Sequence, residues 1–155
     1  MPNTDHSILK EFRLLLEAHS FRLSYTALRD EQDPNNIPLL SKIQTEDAFL
    51  IPQTPLTDPI ALAANLSKTL IPSKTHILIP GQAFDLSGTR HGRGNGWYDR
   101  FLAHLPKEMP RIGIVPHGCL STTPLIRQTW DEPMDWLLYQ TQETWLIHKT
   151  NTRNH

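Results

Sequence analysis

The chain has 155 residues, with 15 basic and 16 acidic side chains and a formal net charge of −1. This length suits a single domain, and the balanced charge argues against nucleic acid or an anionic membrane surface as a partner. No apolar run is long enough to span a membrane, and the single cysteine, Cys119, excludes an intramolecular disulfide framework, so we expect a cytoplasmic protein.

The N-terminal half of the chain alternates between helix-type and strand-type patterns. Apolar side chains at Ile8, Phe12 and Leu16 recur at helical spacing and predict an amphipathic helix over residues 6–19. Asp58 followed by Pro59 is typical of a helix cap and first turn. The other elements predicted in this half are a strand at 21–25, a polar loop at 29–38, a strand at 48–51, a helix from residue 58 to about 69, and a buried strand at 75–79.

The C-terminal half continues the alternation. The predicted elements are a polar loop after residue 79, a helix from about 96 to 105, a strand at 111–115, an irregular or short helical stretch at 120–129, and two closing strands at 136–139 and 143–147, paired around Thr141-Gln142. Strands that alternate with helices indicate an α/β fold with three layers, in which helices flank a largely parallel sheet. We expect one domain over residues 1–149 and a disordered tail at 150–155.

The segment around three alternating glycines is the most informative part of the sequence. Gly92, Gly94 and Gly96 allow backbone N–H groups to approach a ligand closely, because no Cβ atom blocks the approach. Arg90 and Arg93 add forked donors that match phosphate oxygens, and the helix predicted to follow places its N-terminus beside them. Ligands of α/β folds gather at the carboxyl ends of strands, and this segment follows a buried strand. It therefore predicts a site for a phosphorylated ligand.

The same residues exclude two common phosphate motifs. A P-loop needs Lys followed by Ser or Thr after its last glycine, and a dinucleotide-binding loop needs an acidic residue about twenty positions further on. The spacing here, G-x-G-x-G, fits neither motif. Taken alone, the glycines are equally consistent with a tight strand-to-helix turn, and the arginines with solvated surface charges.

The residues around the glycines extend the pattern to a longer signature. They include the pair Pro80-Gly81, the triplet Ala83-Phe84-Asp85, Gly88, and the run from Arg90 to Leu102. This order resembles the signature of the 5-formyltetrahydrofolate cyclo-ligase family. Residues 131–139 resemble that family's last acidic segment and strand. The resemblance covers residues 75–148 well and residues 20–74 only loosely.

The resemblance implies an enzyme that uses ATP and Mg²⁺ to convert 5-formyltetrahydrofolate to 5,10-methenyltetrahydrofolate. Arg93 and Tyr98 would be catalytic, and Asp99 and Asp131 match the family's Mg²⁺ carboxylates. The residues that would bind ATP are Arg90, His91, Gly92, Arg93, Gly94, Asn95, Gly96, Trp97 and Tyr98. Those that would bind the folate are Arg93, Gly94, Asn95, Gly96 and Trp97.

The sequence departs from the family's pattern at its start and at three positions. The family usually has a longer N-terminus with basic residues that reach the ATP phosphates, and only about twenty residues precede the first predicted strand here, so we expect a shortened N-terminus. The replacement cation would come from Lys10, Arg13, Arg22 or Arg29, or from a second subunit, and a monomer or a homodimer is expected. His91 replaces an apolar residue, Trp97 a tyrosine, and Trp130 a frequent histidine.

Two alternatives stay open beside the enzyme. In the first, the chain is a catalytically inactive relative that keeps a nucleotide or phosphate pocket and acts as a binding or oligomerisation module. In the second, it is an RNA-binding module that uses Arg90, Arg93 and Arg100. The net charge argues against the RNA-binding module. Asp99 is equally suited to interact with a helix dipole, and Asp131 to cap a loop. Trp97 and Tyr98 are suited either to the pocket or to the core, and Trp130, Trp136 and Trp145 are expected to serve packing.

Overall fold

A six-stranded sheet forms the centre of the protein, as described by a computed structural model over residues 6–52, 54 and 56–150. Its strands, in spatial order, are β2 (Glu46–Ile51), β1 (Phe21–Tyr25), β3 (Thr75–Ile79), β6 (Arg111–Ile114), β8 (Trp136–Thr141) and β9 (Thr144–Lys149). The first five strands are parallel to their neighbours, and β9 pairs antiparallel with β8. The predicted largely parallel sheet is confirmed.

Helices cover both faces of the sheet and complete the three layers. On one face lie α1 (His6–Ala18) and the single turn α2 (Pro38–Ser41), and on the other lie α3 (Pro59–Thr69) and α4 (Trp97–Ala103). The central strands are buried on both faces, so that Leu78 and Ile112 face one core while Ile77 and Ile79 face the other. This double burial explains why both strands end in runs without polar side chains, at residues 77–79 and 112–114.

Local signals define the helix boundaries. Asp58 caps α3 by accepting hydrogen bonds from the N–H groups of Ile60 (3.0 Å) and Ala61 (3.4 Å), and Pro59 occupies the first turn. The segment predicted as loop at 29–38 contains a 3₁₀ turn at Pro34–Asn36 and the start of α2. Prolines open both short helices, because a first-turn position needs no backbone N–H donor.

A second, three-stranded sheet was not predicted. It consists of β5 (Arg90–His91), β4 (Ala83–Asp85) and β7 (Leu120–Ser121), in that spatial order. The pair β4–β5 is antiparallel and β4–β7 is parallel. Strands of two or three residues are too short to show an alternating pattern. This small sheet fixes the start of the glycine segment, since His91 O accepts a hydrogen bond from Gln82 N–H (2.8 Å).

The ends of the chain are described only in part. Thr150 donates from its N–H to Asp135 O (3.0 Å) and from its hydroxyl to Met134 O (2.6 Å). The rest of the tail expected to be disordered, 151–155, lies outside the described residues, as do residues 1–5. The single-domain boundaries at 1–149 stay a prediction. Within the described part of the chain, no helix has the length and apolar character required to cross a bilayer.

Candidate active site

A cavity of about 430 Å³ opens at the carboxyl edge of the parallel strands. Loops that follow four different strands form its walls, because the carboxyl ends of parallel strands meet at one edge of a sheet. The loop after β1 contributes Leu28 and Glu31, the loop after β2 contributes Thr54, and the segment between β6 and β8 contributes Trp130 and Asp131. The segment after β3 contributes the remaining lining residues, which are Gly81, Gln82, Arg90, His91, Gly92, Arg93, Gly94, Asn95, Gly96, Trp97, Tyr98 and Asp99.

The glycine segment lines the cavity in a conformation that requires glycine at two positions. Gly94 and Gly96 have φ angles of 85° and 68°, a region that is sterically unfavourable for residues with a Cβ atom. Asn95 Oδ1 accepts a hydrogen bond from Trp97 N–H (3.0 Å) and thereby caps α4. Within residues 6–150, as far as they are described, the N–H groups of residues 92–96 find no protein acceptor. These donors are therefore left for a ligand or solvent.

The side chain of Arg90 lines the cavity and is held in place by the carbonyl group of Pro80 and the ring of Tyr98. Its Nε donates to Pro80 O (2.5 Å), and its guanidinium carbon lies 4.8 Å from the centre of the Tyr98 ring. A Cβ atom added at Gly92 would lie 2.7 Å from Nη2 of Arg90, so the glycine leaves room for the guanidinium group. Burial lowers the pKa of Arg90, and nearby acidic groups oppose that effect. The hydrogen bond to Pro80 and the contact with the Tyr98 ring therefore hold the guanidinium group at one place in the cavity.

Arg93 is engaged by carboxylates on the opposite loop. Its Nη2 forms an ion pair with Asp30 and lies 3.9 Å from Oε2 of Glu31. The Gln82 side-chain amide donates to the other Asp30 oxygen (2.5 Å). Hydrogen bonds from Gln82 and then Arg93 hold the pKa of Asp30 below its ordinary value. An anion that binds Arg93 must therefore compete with Asp30.

Glu31 is the most enclosed acidic side chain at this end of the cavity. Its side chain is 4% exposed, and its Oε1 accepts a hydrogen bond from Leu28 N–H (2.9 Å). The Tyr25 hydroxyl donates to Gln32 O (2.6 Å) and fixes the loop that carries Glu31. Neither Asp30 nor Glu31 was a candidate from the sequence, because the segment showed only the polar composition of a loop.

Trp97 and Tyr98 belong both to the cavity wall and to the core. Trp97 is 8% exposed, stacks on Phe101 at a centroid distance of 5.2 Å, and donates from Nε1 to Thr57 O (2.8 Å). The Tyr98 hydroxyl is buried without a hydrogen-bond partner among the described residues. Burial raises the pKa of Tyr98, so its hydroxyl keeps its proton at neutral pH. It is therefore a protonated donor that lies within the wall with no acceptor among the described residues.

Asp99 and Asp131 both line the cavity, and their side chains interact with each other. Asp99 Oδ1 accepts a hydrogen bond from Glu132 N–H (2.9 Å), and Asp131 Oδ2 accepts one from Gln128 N–H (2.8 Å). Burial, together with the neighbouring Asp131 carboxylate, raises the pKa of Asp99, although the Glu132 N–H and Arg90 lower it. Two partly buried carboxylates repel each other when both are ionised. A divalent cation bound to both would offset that repulsion, so the pair is a candidate cation site.

A buried ion pair positions the segment that carries Asp131. Arg111 is 3% exposed and donates to Glu132 Oε1 (3.1 Å) and to Leu102 O (3.1 Å), which ties the segment to α4. No group of three or more potential metal-ligating side chains occurs in the described ranges. The carboxylate pair still fits Mg²⁺, because this ion commonly takes one or two protein carboxylates and completes its shell with phosphate and water oxygens.

Comparison with known proteins decides the family. The model of the 5-formyltetrahydrofolate cyclo-ligase family matches residues 30–140, which is more than half of the chain. The chain belongs to this family. Among solved structures, it is similar to a 5,10-methenyltetrahydrofolate synthetase from Mycoplasma pneumoniae, with 20% identity, a TM-score of 0.50, and coverage of 86% of this chain and 82% of that chain. That likeness concerns the fold, and a comparison with curated proteins found no match.

In this cyclo-ligase family member, the basic residues expected to replace the family's N-terminal phosphate contacts lie outside the cavity lining. None of the four proposed replacement cations lines the cavity, where the described cations are Arg90 and Arg93. Lys10 and Arg13 are exposed on α1, which packs on the opposite face of the sheet. Arg22 donates to the buried His76 (3.0 Å). The cavity lining therefore contains three carboxylates and two guanidinium groups. The carboxylates belong to Glu31, Asp99 and Asp131, and the guanidinium groups to Arg90 and Arg93.

Trp130 is the main correction among the tryptophans. It was expected to serve packing, but it is 65% exposed and lines the cavity. Trp136 does pack, at 4% exposure and 5.4 Å from the Phe12 ring. The sequence signal for Trp130 was its place directly before Asp131, in the acidic segment of the family's signature.

Proposed function

We propose that this cyclo-ligase family member converts 5-formyltetrahydrofolate to 5,10-methenyltetrahydrofolate with ATP and Mg²⁺. The observation that supports this most is that one cavity brings Arg90 and Arg93 together with the Asp99–Asp131 pair. Phosphoryl transfer needs fixed positive charge around the phosphates and oxygen ligands for a cation, and little covalent chemistry from the protein.

The proposed reaction follows the one that the family resemblance implies. The formyl oxygen takes the γ-phosphoryl group of ATP, and ADP leaves. The N10 amine then attacks the activated formyl carbon, N10 releases its proton to solvent, and phosphate departs as the closed ring forms. Both steps place developing negative charge on oxygens, which fixed donors in an enclosed cavity stabilise.

Arg93 and the N–H groups of residues 92–96, which have no acceptor among the described residues, are the proposed phosphate contacts, and Arg90 is the second cation beside them. We assign Asp99 and Asp131 as the Mg²⁺ ligands, and Mg²⁺, when bound, neutralises charge on the phosphate oxygens. Because the cavity lining carries one more carboxylate than guanidinium groups, the nucleotide is expected to enter as its Mg²⁺ complex rather than as the free anion.

The folate is assigned to the side of the cavity that holds Glu31. A pteridine ring presents an amino group and a ring N–H side by side, and a buried carboxylate pairs with two such donors. The backbone of Arg93, Gly94, Asn95 and Gly96 and the Trp97 ring form the adjoining wall. Tyr98, whose ring lines the cavity beside Arg90, is the second proposed catalytic residue with Arg93.

The test mixes purified protein with Mg·ATP and 5-formyltetrahydrofolate and follows the near-ultraviolet absorbance of the methenyl product. Arg93→Ala should abolish the signal, whereas Arg13→Ala, an exposed arginine on the opposite layer, should leave it unchanged. A thermal shift caused by Mg·ATP without product formation would identify an inactive nucleotide-binding relative instead. Unchanged activity in Arg93→Ala would remove the glycine segment from the site.

Two further properties accompany this proposal, the cellular compartment and the oligomeric state. The single cysteine, which is partly buried and unpaired, suits a reducing compartment, and we propose the cytoplasm. Whether the protein is a monomer or a homodimer stays a prediction to be tested by its mass in solution.

A further inference from the structure

The indole of Trp130 is unusual because it is large, apolar, exposed and part of the cavity lining. It is 65% exposed, whereas Trp97 and Trp136 are 8% and 4% exposed. At the edge of a cavity an exposed indole offers a flat surface on which a ligand ring can stack.

Hydrogen bonds hold the backbone around Trp130 in place. Asp131 N–H donates to Gln128 O (3.1 Å), and Gln128 N–H donates back to Asp131 Oδ2 (2.8 Å). Nearer the start of the same segment, Nε2 of His91 forms a hydrogen bond with Ile126 O (2.7 Å). The indole is therefore carried by an ordered turn, and a ligand that stacks on it does not have to order the backbone first.

We propose that Trp130 stacks on the adenine ring of ATP, an assignment that rests on the proposed function. Asp131 is the next residue and is one of the two carboxylates assigned to the Mg·phosphate group, so the phosphates lie beside this turn. The ribose and base extend from the phosphates. Among the aromatic side chains in the lining, Trp130 is the exposed one, since Trp97 and Tyr98 are 8% and 6% exposed. The buried Glu31, which suits a pteridine, belongs to a different wall of the cavity.

The test compares direct binding of Mg·ATP and Mg·tripolyphosphate by titration calorimetry. Removing a stacking ring weakens binding of a base substantially, so Trp130→Ala should lower Mg·ATP affinity about tenfold while leaving Mg·tripolyphosphate affinity unchanged. Trp130→Phe keeps a ring and should stay within about threefold of wild type. The matched control is Ile126→Ala, which removes a 73% exposed side chain from the same segment outside the cavity lining and should change neither affinity.

Fluorescence provides a second measurement that a merely structural role would not affect. Mg·ATP should quench tryptophan emission more strongly in wild type than in Trp130→Phe, which still carries Trp97 in the cavity lining, and Mg·tripolyphosphate should show no such difference between the two proteins. Equal Mg·ATP affinity in wild type and Trp130→Ala overturns the stacking assignment while the proposed function stands. A loss confined to 5-formyltetrahydrofolate binding also overturns it, because the stacked ring would then belong to the folate. Absence of Mg·ATP binding in wild type overturns the proposed function and this inference together.

Discussion

The ion pair between Arg93 and Asp30 makes a prediction about nucleotide affinity. Arg93 is proposed to bind phosphate, yet in the structure its guanidinium group is held by Asp30, with Glu31 at 3.9 Å. ATP must replace this pairing when it binds. Asp30→Asn removes the competing charge and keeps the shape of the side chain, so the affinity for Mg·ATP should increase.

The expected size follows from the exposure of the two partners. The side chains of Arg93 and Asp30 are 40% and 44% exposed, and ion pairs of that kind are weak, so the gain should be about two- to fivefold. Arg93→Ala removes a charge-assisted phosphate contact of about 1.5–3 kcal/mol, which corresponds to a loss of roughly ten- to 150-fold.

Four proteins measured by titration calorimetry with Mg·ATP complete the test: wild type, Asp30→Asn, Arg93→Ala and the double variant. The gain from Asp30→Asn should vanish when Arg93 is absent, and it should shrink at high salt because the pair is partly exposed. Glu17→Gln, an exposed charge change on α1, controls for the general loss of negative charge. A gain that persists in the Arg93→Ala background, or weaker binding in Asp30→Asn, would show that Asp30 does not act by restraining Arg93.

Three further predictions concern the metal, pH and packing. Asp99→Asn should raise the Mg²⁺ concentration needed for ATP binding at least about tenfold, as measured by Mg²⁺ titration, since it removes a charged ligand; unchanged Mg²⁺ dependence would contradict the assignment. Burial holds the pKa of His76 at about 3, against 6.5 in the unfolded chain, so between these values the unfolded chain binds more protons and stability falls as pH falls. Urea unfolding across this range should show a slope in wild type of up to about 1.4 kcal/mol per pH unit from this group, and His76→Gln should reduce it. Gly113→Ala would place a Cβ atom 2.6 Å from Phe84 Cε1 and 2.9 Å from Leu137 Cδ2, so the free energy of unfolding should fall by about 1–3 kcal/mol in a urea titration.

The sequence predicted most of the main sheet because its strands carry strong local signals. The strand at residues 75–79 is fully buried, carries the apolar run 77–79 and is ended by Pro80-Gly81, and the Asp58-Pro59 pair marks the start of α3 as expected. The predicted hairpin is present with its turn at Gln142–Glu143, one residue later than expected. These features depend on neighbours in the chain, which a sequence displays directly.

Features that depend on distant parts of the chain were not predicted. The pairing of β4 with β7 joins residues 83–85 to residues 120–121, and no periodicity in such short segments reveals it. The contact between Arg93 and Asp30 spans 63 residues, and Asp30 lies in a loop whose composition is merely polar. Trp130 was misassigned because a tryptophan is usually buried, and its exposure depends on the turn that carries it.

The construction of the cavity from loops after four separate strands affects how this protein can be altered. A replacement in one loop should leave the hydrogen-bond ladders of β1, β3, β6 and β8 in place, provided that the contacts between walls, such as Arg93 with Asp30, are kept. Ligand preference and thermal tolerance can then be engineered as separate traits, with loop grafts for the first and core substitutions for the second. A solved structure with a similar fold shares only 20% identity with this chain, so the fold tolerates many side-chain replacements.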